Sequence, residues 1–287
     1  MTSQHQTLTI SCEFFPPRTE TGMEKLRDIR QQLQVLQPAY FSVTFGAGGS
    51  TQEKTFETVI DIQQHSTTEA APHLSCIGST QEHIRQLLQD YQTHHIRRIV
   101  ALRGDRPSGW AGPIGEFRYA NELVAFIREQ TGSHFHIEVA AYPEFHPQAR
   151  SAKVDLNYFK QKVQAGADSA ITQYFYNADA YFRFLESCQA IGIDIPIVPG
   201  MMPISNYEQL ARFSKTCGAE IPRWLDWRLQ EWIDDKASLQ AFGLDVVTQL
   251  GERLIAGGAP GLHFYTLNQA ELTLTIAKRL NLFTSAT

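Results

Sequence analysis

The chain has 287 residues, of which 43% are hydrophobic, so it is long enough to bury one large core or two small ones. Its formal net charge of −5, without a concentrated basic segment, argues against nucleic acid or an anionic membrane surface as a partner. No linker, repeat or low-complexity run divides the sequence, so we expect a single domain over residues 1–287 that acts on a small soluble ligand.

The first predicted strand, residues 8–15, places a carboxylate among apolar side chains. Two consecutive prolines end this strand, because proline cannot continue a hydrogen-bonded ladder. Glu13 is costly to bury unless it is paired, protonated or used in chemistry, so a functional carboxyl and a structural ion pair with Arg18 both remain open. Apolar residues then recur at helical spacing over 22–36.

The second predicted strand, 40–45, runs into a glycine-rich turn at 46–51, and a helix is predicted over 52–65. Such a turn allows a ligand to approach the backbone closely, and its N–H groups favour an anion. It lacks the P-loop lysine and the dinucleotide spacing, so an ordinary strand-to-helix turn is an equally good interpretation. The third strand, 72–77, contains His73, and a lone strand histidine is typical of a core residue.

The next three predicted strands also end in polar residues. Strand four, 99–102, ends at Arg103-Gly104-Asp105, which is either a solvated turn or a functional group of both charge signs. Strand five, 136–141, is followed by Tyr142, and strand six, 168–173, ends at Gln173. The helices that separate and follow these strands are predicted over 116–130, 152–165 and 179–191.

Strands seven and eight are predicted at 195–198 and 261–265, with a helix capped by Ser205 and running to residue 215 after the seventh. The long span between them should hold at least two helices, including a segment with Trp224, Trp227 and Trp232 that serves either as a subunit interface or as core packing. Eight strands alternating with helices predict an α/β (β/α)8 TIM barrel with extra helices between strands seven and eight; a doubly wound open sheet is the alternative.

A barrel brings the carboxyl ends of all its strands to one face, where such folds build their sites. Six polar residues at or near predicted strand ends should therefore converge. They are Glu13, Thr44, His73, Asp105, Tyr142 and Gln173.

Five motifs in register at these strand ends resemble the methylenetetrahydrofolate reductase family. They read SCEFFPP at 11–17, VTFGAGGS at 43–50, RGD at 103–105, AYPE at 141–144 and FYTLN at 264–268. The resemblance implies a cytoplasmic flavoenzyme that uses FAD and NADH or NADPH to reduce 5,10-methylenetetrahydrofolate to 5-methyltetrahydrofolate by a ping-pong mechanism. It also implies a role in one-carbon metabolism that supplies methyl groups for methionine synthesis, a homo-oligomer, and the short bacterial form without a C-terminal regulatory domain.

Carried over by position, the resemblance makes Glu13 the general acid and places Asp105 beside both the flavin and the folate pterin. Cofactor contacts are implied for Thr44, Phe45, Ala47, His73, Arg103, Gly104, Asp105, Ala120, Tyr142, His146, Asp155 and Lys162, with Thr44 meeting the nicotinamide nucleotide. Substrate contacts are implied for Asp105, Gln173, Gln209, Phe213 and Gln269.

Two residues depart from the pattern of the family. Tyr158 stands where a flavin-contacting Asn is expected, and Gln269 stands where an Arg contacts substrate, which removes a charged partner for the folate glutamate tail. Ring opening of the substrate requires a proton at folate N10, and we expect the apolar surroundings of Glu13 to raise its pKa enough to deliver that proton. Asp105 would stabilise the resulting cation.

Other features of the sequence are interpreted as structural. The four cysteines are too scattered for a zinc site and are expected to be reduced packing residues, and His134 with His136 is expected to be a surface pair, so no metal is predicted. The polar N-terminal segment shows no signal-peptide pattern, and no apolar run reaches the length of a membrane span. Two other functions stay open: a flavin barrel acting on another substrate, and a pterin- or flavin-binding protein without catalysis.

Overall fold

Parallel strands form the central sheet of the computed structural model, which describes residues 8–45, 49–104 and 115–283. Neighbours in the sheet follow the order β7-β6-β5-β4-β3-β2-β1-β9-β8. The strands are β1 Thr9–Phe14, β2 Tyr40–Val43, β3 Glu69–Ser75, β4 Arg98–Leu102, β5 His136–Ala141, β6 Ser169–Thr172, β7 Ile197–Val198, β8 Gly200–Met201 and β9 Gly261–Tyr265.

The sheet closes on itself through a broken seventh strand. β7 pairs with β6, β8 pairs with β9, and Pro199 joins these two short halves, which together correspond to the single predicted strand seven. The carbonyl of Pro199 accepts the N–H of His263 at 3.0 Å, so hydrogen bonding to β9 continues across the break. Because the first and last strands, β1 and β9, also pair in parallel, the (β/α)8 barrel is confirmed and the open sheet is wrong.

Helices follow the strands as predicted, with an additional pair before the last strand. They are α1 Glu20–Leu33, α2 Gly49–His65, α3 Gln81–Thr93, α4 Ala120–Thr131, α5 Ala152–Gln164, α6 Ala178–Ala190, α7 Tyr207–Cys217, α8 Arg223–Glu231, α9 Lys236–Ala256 and α10 Glu271–Arg279. A short 3₁₀ helix, Gln34–Leu36, continues α1. The presence of α8 and α9 confirms the extra helices.

Four predicted helix starts need correction, and one of them is that of α2, which begins at Gly49 rather than at residue 52. α1 begins before residue 22, where the Thr19 hydroxyl accepts the N–H of Gly22. α4 begins at Ala120 rather than at 116, because Tyr119 is extended and the apolar side chain before it, Phe117, packs edge-on against Phe126 instead of starting a helical turn. α7 is capped by the Asn206 side chain, which accepts the N–H of Gln209 at 2.8 Å, and not by Ser205.

Two hydrophobic clusters hold the described chain together. The large one fills the space between strands and helices, and it contains the buried cysteines Cys12, Cys76 and Cys188. The small one lies inside the barrel and consists of Tyr40, Ala71, Val100 and Ile171, with Leu102 and Tyr265 packed against it. Side chains of a strand alternate between its two faces, which is why β2, β3, β4 and β6 contribute to both clusters.

One of the three tryptophans in the predicted segment packs in the core, and the other two are exposed. Trp232 packs against Phe242 with ring centroids 5.0 Å apart, whereas Trp224 and Trp227 on α8 are more than half exposed. All four cysteines are free, as expected. Within the part of the chain that the structure describes, no helix has both the length and the apolar character needed to cross a membrane.

Candidate active site

A cavity of about 490 Å³ opens at the carboxyl ends of the barrel strands. Its floor is formed by the small inner cluster, since Val100, Leu102, Ile171 and Tyr265 line it from below. The volume falls within the range of about 300–1,000 Å³ that is typical of ligand pockets. Predicted site residues that line it are Glu13, Thr44, Phe45, His73, Gly104, Tyr142, Gln173 and Phe213.

Glu13 is a buried carboxylate between two histidines. Its side chain lies at the end of β1, 9% exposed, with Oε2 at 3.2 Å from His73 Nε2 and 3.6 Å from His263 Nε2. Neither Nε2 atom has an aligned hydrogen-bond partner among the described residues. The ion pair with Arg18 that the sequence left open is therefore replaced by contacts with β3 and β9.

The electrostatic setting of Glu13 differs from the expectation. Burial raises the pKa of its carboxyl, but the neighbouring His73 and His263 outweigh burial and lower the pKa to about 2. The expected raised pKa is wrong for the protein without ligand, because the sequence could not show the two histidines. The carboxylate is thus ionised and paired in this state.

His263 is a functional candidate that sequence reasoning missed. It is fully buried, and its Nδ1 lies 2.7 Å from the Ser11 hydroxyl, which fixes the ring with Nε2 towards Glu13. Ser11 and His263 are register partners in the β1–β9 pairing. The available signal was a histidine in a predicted strand, two residues before Tyr265 and therefore on the same strand face.

Gly104 permits a close approach of backbone segments at the end of β4. Its φ of +84° is in the left-handed region, and a Cβ there would lie 2.0 Å from the Ser75 hydroxyl. The Ser75 hydroxyl in turn donates to the carbonyl of Arg103 at 3.0 Å. A side chain at position 104 would both strain the turn and fill the edge of the cavity.

Comparison with known proteins assigns the chain to a family. The sequence model of methylenetetrahydrofolate reductase matches residues 1–281. The chain belongs to the methylenetetrahydrofolate reductase family. It is 40% identical to 5,10-methylenetetrahydrofolate reductase of Pectobacterium carotovorum, over 95% of this chain and 90% of the relative. It is 38% identical to methylenetetrahydrofolate reductase (NADH) 1 of Arabidopsis thaliana, over 98% of this chain and 50% of the relative.

Solved structures support the fold. A Clostridium thermocellum protein described as binding two copies of 5-methyl-5,6,7,8-tetrahydrofolic acid superposes with a TM-score of 0.67 at 16% identity, covering 96% of this chain and 95% of that one. Dihydropteroate synthase from Xanthomonas albilineans superposes with a TM-score of 0.52 at 10% identity, covering 94% of this chain and 91% of that one. At these identities the likeness concerns the barrel alone.

Several residues that the methylenetetrahydrofolate reductase resemblance implies lie behind or beside the cavity. Arg103 donates to the Gln148 side chain at 2.5 Å, and the N–H of His146 donates to Asp155 at 3.0 Å. Outside the cavity lining are Arg103, Ala120, His146, Asp155, Lys162, Gln209 and Gln269. Ala47 and Asp105 lie outside the described residues.

Lys162 is a half-buried cation with no carboxylate in contact among the described residues. Its ammonium donates to the carbonyl of Ala140, and burial lowers its pKa to about 8, although Asp155 opposes this effect. A charged group in this setting is poorly compensated by a single carbonyl. The position suits an anionic ligand group.

The two departures from the family pattern are on the surface. Tyr158 stacks on Tyr119 with ring centroids 5.8 Å apart and an interplanar angle of 18°, and both rings are exposed. Gln269 is exposed and its backbone N–H closes a turn with the carbonyl of Thr266 at 3.0 Å. Neither residue disturbs the cavity around Glu13.

Proposed function

We propose that this protein reduces 5,10-methylenetetrahydrofolate to 5-methyltetrahydrofolate with NADH or NADPH, using bound FAD. The observation that carries the proposal is the buried Glu13 carboxylate, held between His73 and His263 at the wall of a ligand-sized cavity in a chain of this family. We further propose that it acts as one domain in the cytoplasm, as a homo-oligomer, and supplies methyl groups for methionine synthesis in one-carbon metabolism.

The residues present fit a flavin dinucleotide. Gly104 lines the cavity without a side chain, so a ligand can approach its backbone, and the Lys162 ammonium, which contacts no carboxylate among the described residues, could balance a diphosphate. Tyr142 and Leu102 offer flat or apolar surface on the cavity wall. When bound, the flavin supplies the two-electron carrier between nicotinamide and folate. Asp105 and Ala47 stay predicted contacts.

Glu13 and His73 together can hold and release the proton that folate N10 needs. In the free protein the carboxylate is ionised because the histidines lower its pKa. A ligand that displaces water from the cavity strengthens desolvation, which already is the largest effect on this carboxyl and raises its pKa. Protonation of Glu13 then becomes more favourable, and its carboxyl can hold the proton for transfer to N10.

One cavity serves both substrates in this proposal. Thr44, Gln173 and Phe213 line the same space, although the resemblance links Thr44 to the nucleotide and the other two to folate. Alternate occupancy predicts ping-pong kinetics, so initial-rate plots at several folate concentrations should be parallel. Intersecting lines would indicate a ternary complex and contradict the shared cavity.

An anaerobic titration tests the reaction itself. The purified protein should be yellow, bleach on addition of NADH or NADPH, and regain its colour on addition of methylenetetrahydrofolate. Bleaching without recovery would favour a flavin barrel with another substrate. Failure of both steps would favour a pterin- or flavin-binding protein, and comparing the two nucleotides establishes the preferred donor.

A further inference from the structure

Glu144 is a second carboxylate of interest, in the loop between β5 and α5. Its Oε2 accepts the backbone N–H of Glu220 at 2.7 Å, across the gap to the turn between α7 and α8. Its Oε1 is buried without a hydrogen-bond partner in the described chain. Burial raises the pKa of the Glu144 carboxyl, the hydrogen bond from the Glu220 N–H opposes this effect, and the charge of Glu220 adds to the rise.

A second contact joins the same two segments. Gly218 ends α7 with a φ of +78°, and a Cβ at this position would lie 3.0 Å from Pro147 in the β5–α5 loop. The loop and the turn therefore pack without a gap at Gly218 and are hydrogen-bonded at Glu220. Displacing either segment would break both contacts.

Both joined segments carry residues of the cavity wall. Tyr142 begins the loop, and α7 presents Phe213 and Cys217 to the same space. The last turn of α7 is also tied to the end of β6, because the hydroxyls of Tyr174 and Ser214 lie 3.0 Å apart. The Glu144 contact thus lies behind the wall that α7 forms.

The chemistry of Glu144 exceeds what packing requires. A buried carboxylate oxygen without a donor, close to Glu220, is unfavourable, and an apolar residue would fill the space at lower cost. An ionised acceptor, however, holds an N–H more strongly than a neutral one. A carboxylate at position 144 is therefore explained if a strong hydrogen bond to the Glu220 N–H is needed to hold the α7–α8 turn.

We propose that Glu144 is a positioning residue that ties the β5–α5 loop to the α7–α8 turn and so keeps α7, with Phe213, in place against the cavity. This role of Glu144 goes beyond the proposed function and depends on it only where KM values for the two substrates are measured. The tie itself concerns the free protein and can be measured without any ligand.

Glu144→Ala should release the turn. We expect hydrogen exchange of the Glu220 amide to become about tenfold faster, because the N–H loses the Glu144 oxygen that accepts it. The KM values for methylenetetrahydrofolate and for NADH should both rise about tenfold, while flavin content and kcat change little. Glu144→Gln, which keeps a carbonyl acceptor for the amide but loses the charge, should restore only part of the protection and affinity.

Two further variants complete the test. Glu220→Gln changes the neighbouring side chain but leaves the bonded amide, so it should exchange and bind like the wild type. Gly218→Ala pushes on the Pro147 side of the same contact and should raise both KM values even if Glu144→Ala does not fold.

Unchanged exchange of the Glu220 amide in Glu144→Ala would overturn the tie. Faster exchange with unchanged KM values, or a KM rise equally large in Glu144→Gln and Glu220→Gln, would overturn the positioning role. If the wild type fails the anaerobic titration, the proposed function fails, and the exchange comparison still decides whether Glu144 holds the turn.

Discussion

Two buried carboxylates of the barrel, Glu13 and Glu138, are partnered in opposite ways. Glu138 on β5 is 2% exposed and accepts from Arg98 Nη1 and from the Tyr40 hydroxyl, each at 2.6 Å. The Arg98 guanidinium also lies over the Tyr40 ring, 4.5 Å from its centroid. Glu13 instead faces a cavity, and its ion-pair partners among the described residues are His73 and His263.

The difference distinguishes Glu138, which is held in a structural ion pair, from Glu13, which we propose takes part in proton transfer. Arginine stays protonated in proteins, so the Arg98 guanidinium is a permanent counter-charge that fixes the position of the Glu138 side chain. Histidine can gain or lose a proton near neutral pH, so a carboxylate beside His73 can exchange one. Burial is similar at the two sites, and the partner decides what the carboxylate can do.

Glu13→Gln should produce the largest effect, because the amide keeps the shape and loses the transferable proton. Hydride uptake from NADH should stay near normal, while reoxidation by methylenetetrahydrofolate slows by 10²–10⁴-fold, roughly 3–5 kcal/mol of barrier. Anaerobic stopped-flow absorbance separates the two steps, with the exposed Glu24→Gln as control. A loss of only about threefold, or equal slowing of both steps, would return Glu13 to a structural role.

Glu138→Gln should affect stability rather than chemistry. It removes the nearest and most buried counter-charge of the partly buried Arg98 guanidinium, and breaking such a pair lowers the unfolding free energy by about 3 kcal/mol. Urea denaturation measures this loss. The matched control is Glu69→Gln, since Glu69 is half exposed and 3.9 Å from the same guanidinium, and it should lose less than about 1 kcal/mol. Equal losses would contradict the assignment.

Lys162→Met extends the comparison of buried charged groups to a cation, the Lys162 ammonium. The pKa of Lys162 is about 8 in the folded apoprotein and about 10.4 in an unfolded chain, so the unfolded state binds more protons between these values and stability rises with pH there. The variant should lose this rise and gain up to about 3 kcal/mol at pH 7, while flavin binding weakens.

Thermal unfolding of apoprotein at pH 7 and pH 10 measures the effect of Lys162→Met, and flavin fluorescence gives the affinity. Lys153→Met, on the same helix but exposed, should behave like the wild type. A variant that is no more stable than the wild type at pH 7 would show that the ammonium is not strained by burial.

Gln269→Arg should give the smallest effect, because it adds a charge at an exposed position. An exposed ion pair contributes less than about 1 kcal/mol, so the KM for polyglutamylated folate should fall by at most about fivefold. The KM for monoglutamyl folate and the rate of NADH oxidation serve as internal controls. No dependence on glutamate chain length would contradict a role for this position in tail recognition.

The barrel and most of the cavity could be predicted because they depend on local patterns. Buried runs ending in polar residues identify strands and their carboxyl ends, and closure of the sheet brings Glu13, His73 and Gln173 together. Lateral register does not follow from such patterns. His263 reaches Glu13 only because β9 pairs with β1, across more than 250 residues of chain, and the reversed pKa of Glu13 follows from that pairing.

Residues with backbone or distant partners also escaped prediction. The motif around Tyr142 was recognised, yet the partner of Glu144 is an amide 76 residues away, and no local pattern indicates such a bond. The start of α4 was misplaced because Phe117 has helical spacing while its side chain packs from an extended segment. The position of a residue along a strand can be predicted from the sequence, whereas the residue that it contacts from a distant part of the chain cannot.

The interrupted strand at Pro199 makes one side of the barrel a seam. β7 and β8 are each held by two register pairs, whereas β1 and β9 share five. The strand pairs with the fewest hydrogen bonds separate most easily, so we expect local opening of the sheet between β6 and β9 to occur at this seam. Met202 and α7 follow directly after the seam and line the cavity. Local opening at this seam would therefore widen the cavity on the side of α7 without unfolding the strands that hold Glu13 and His73.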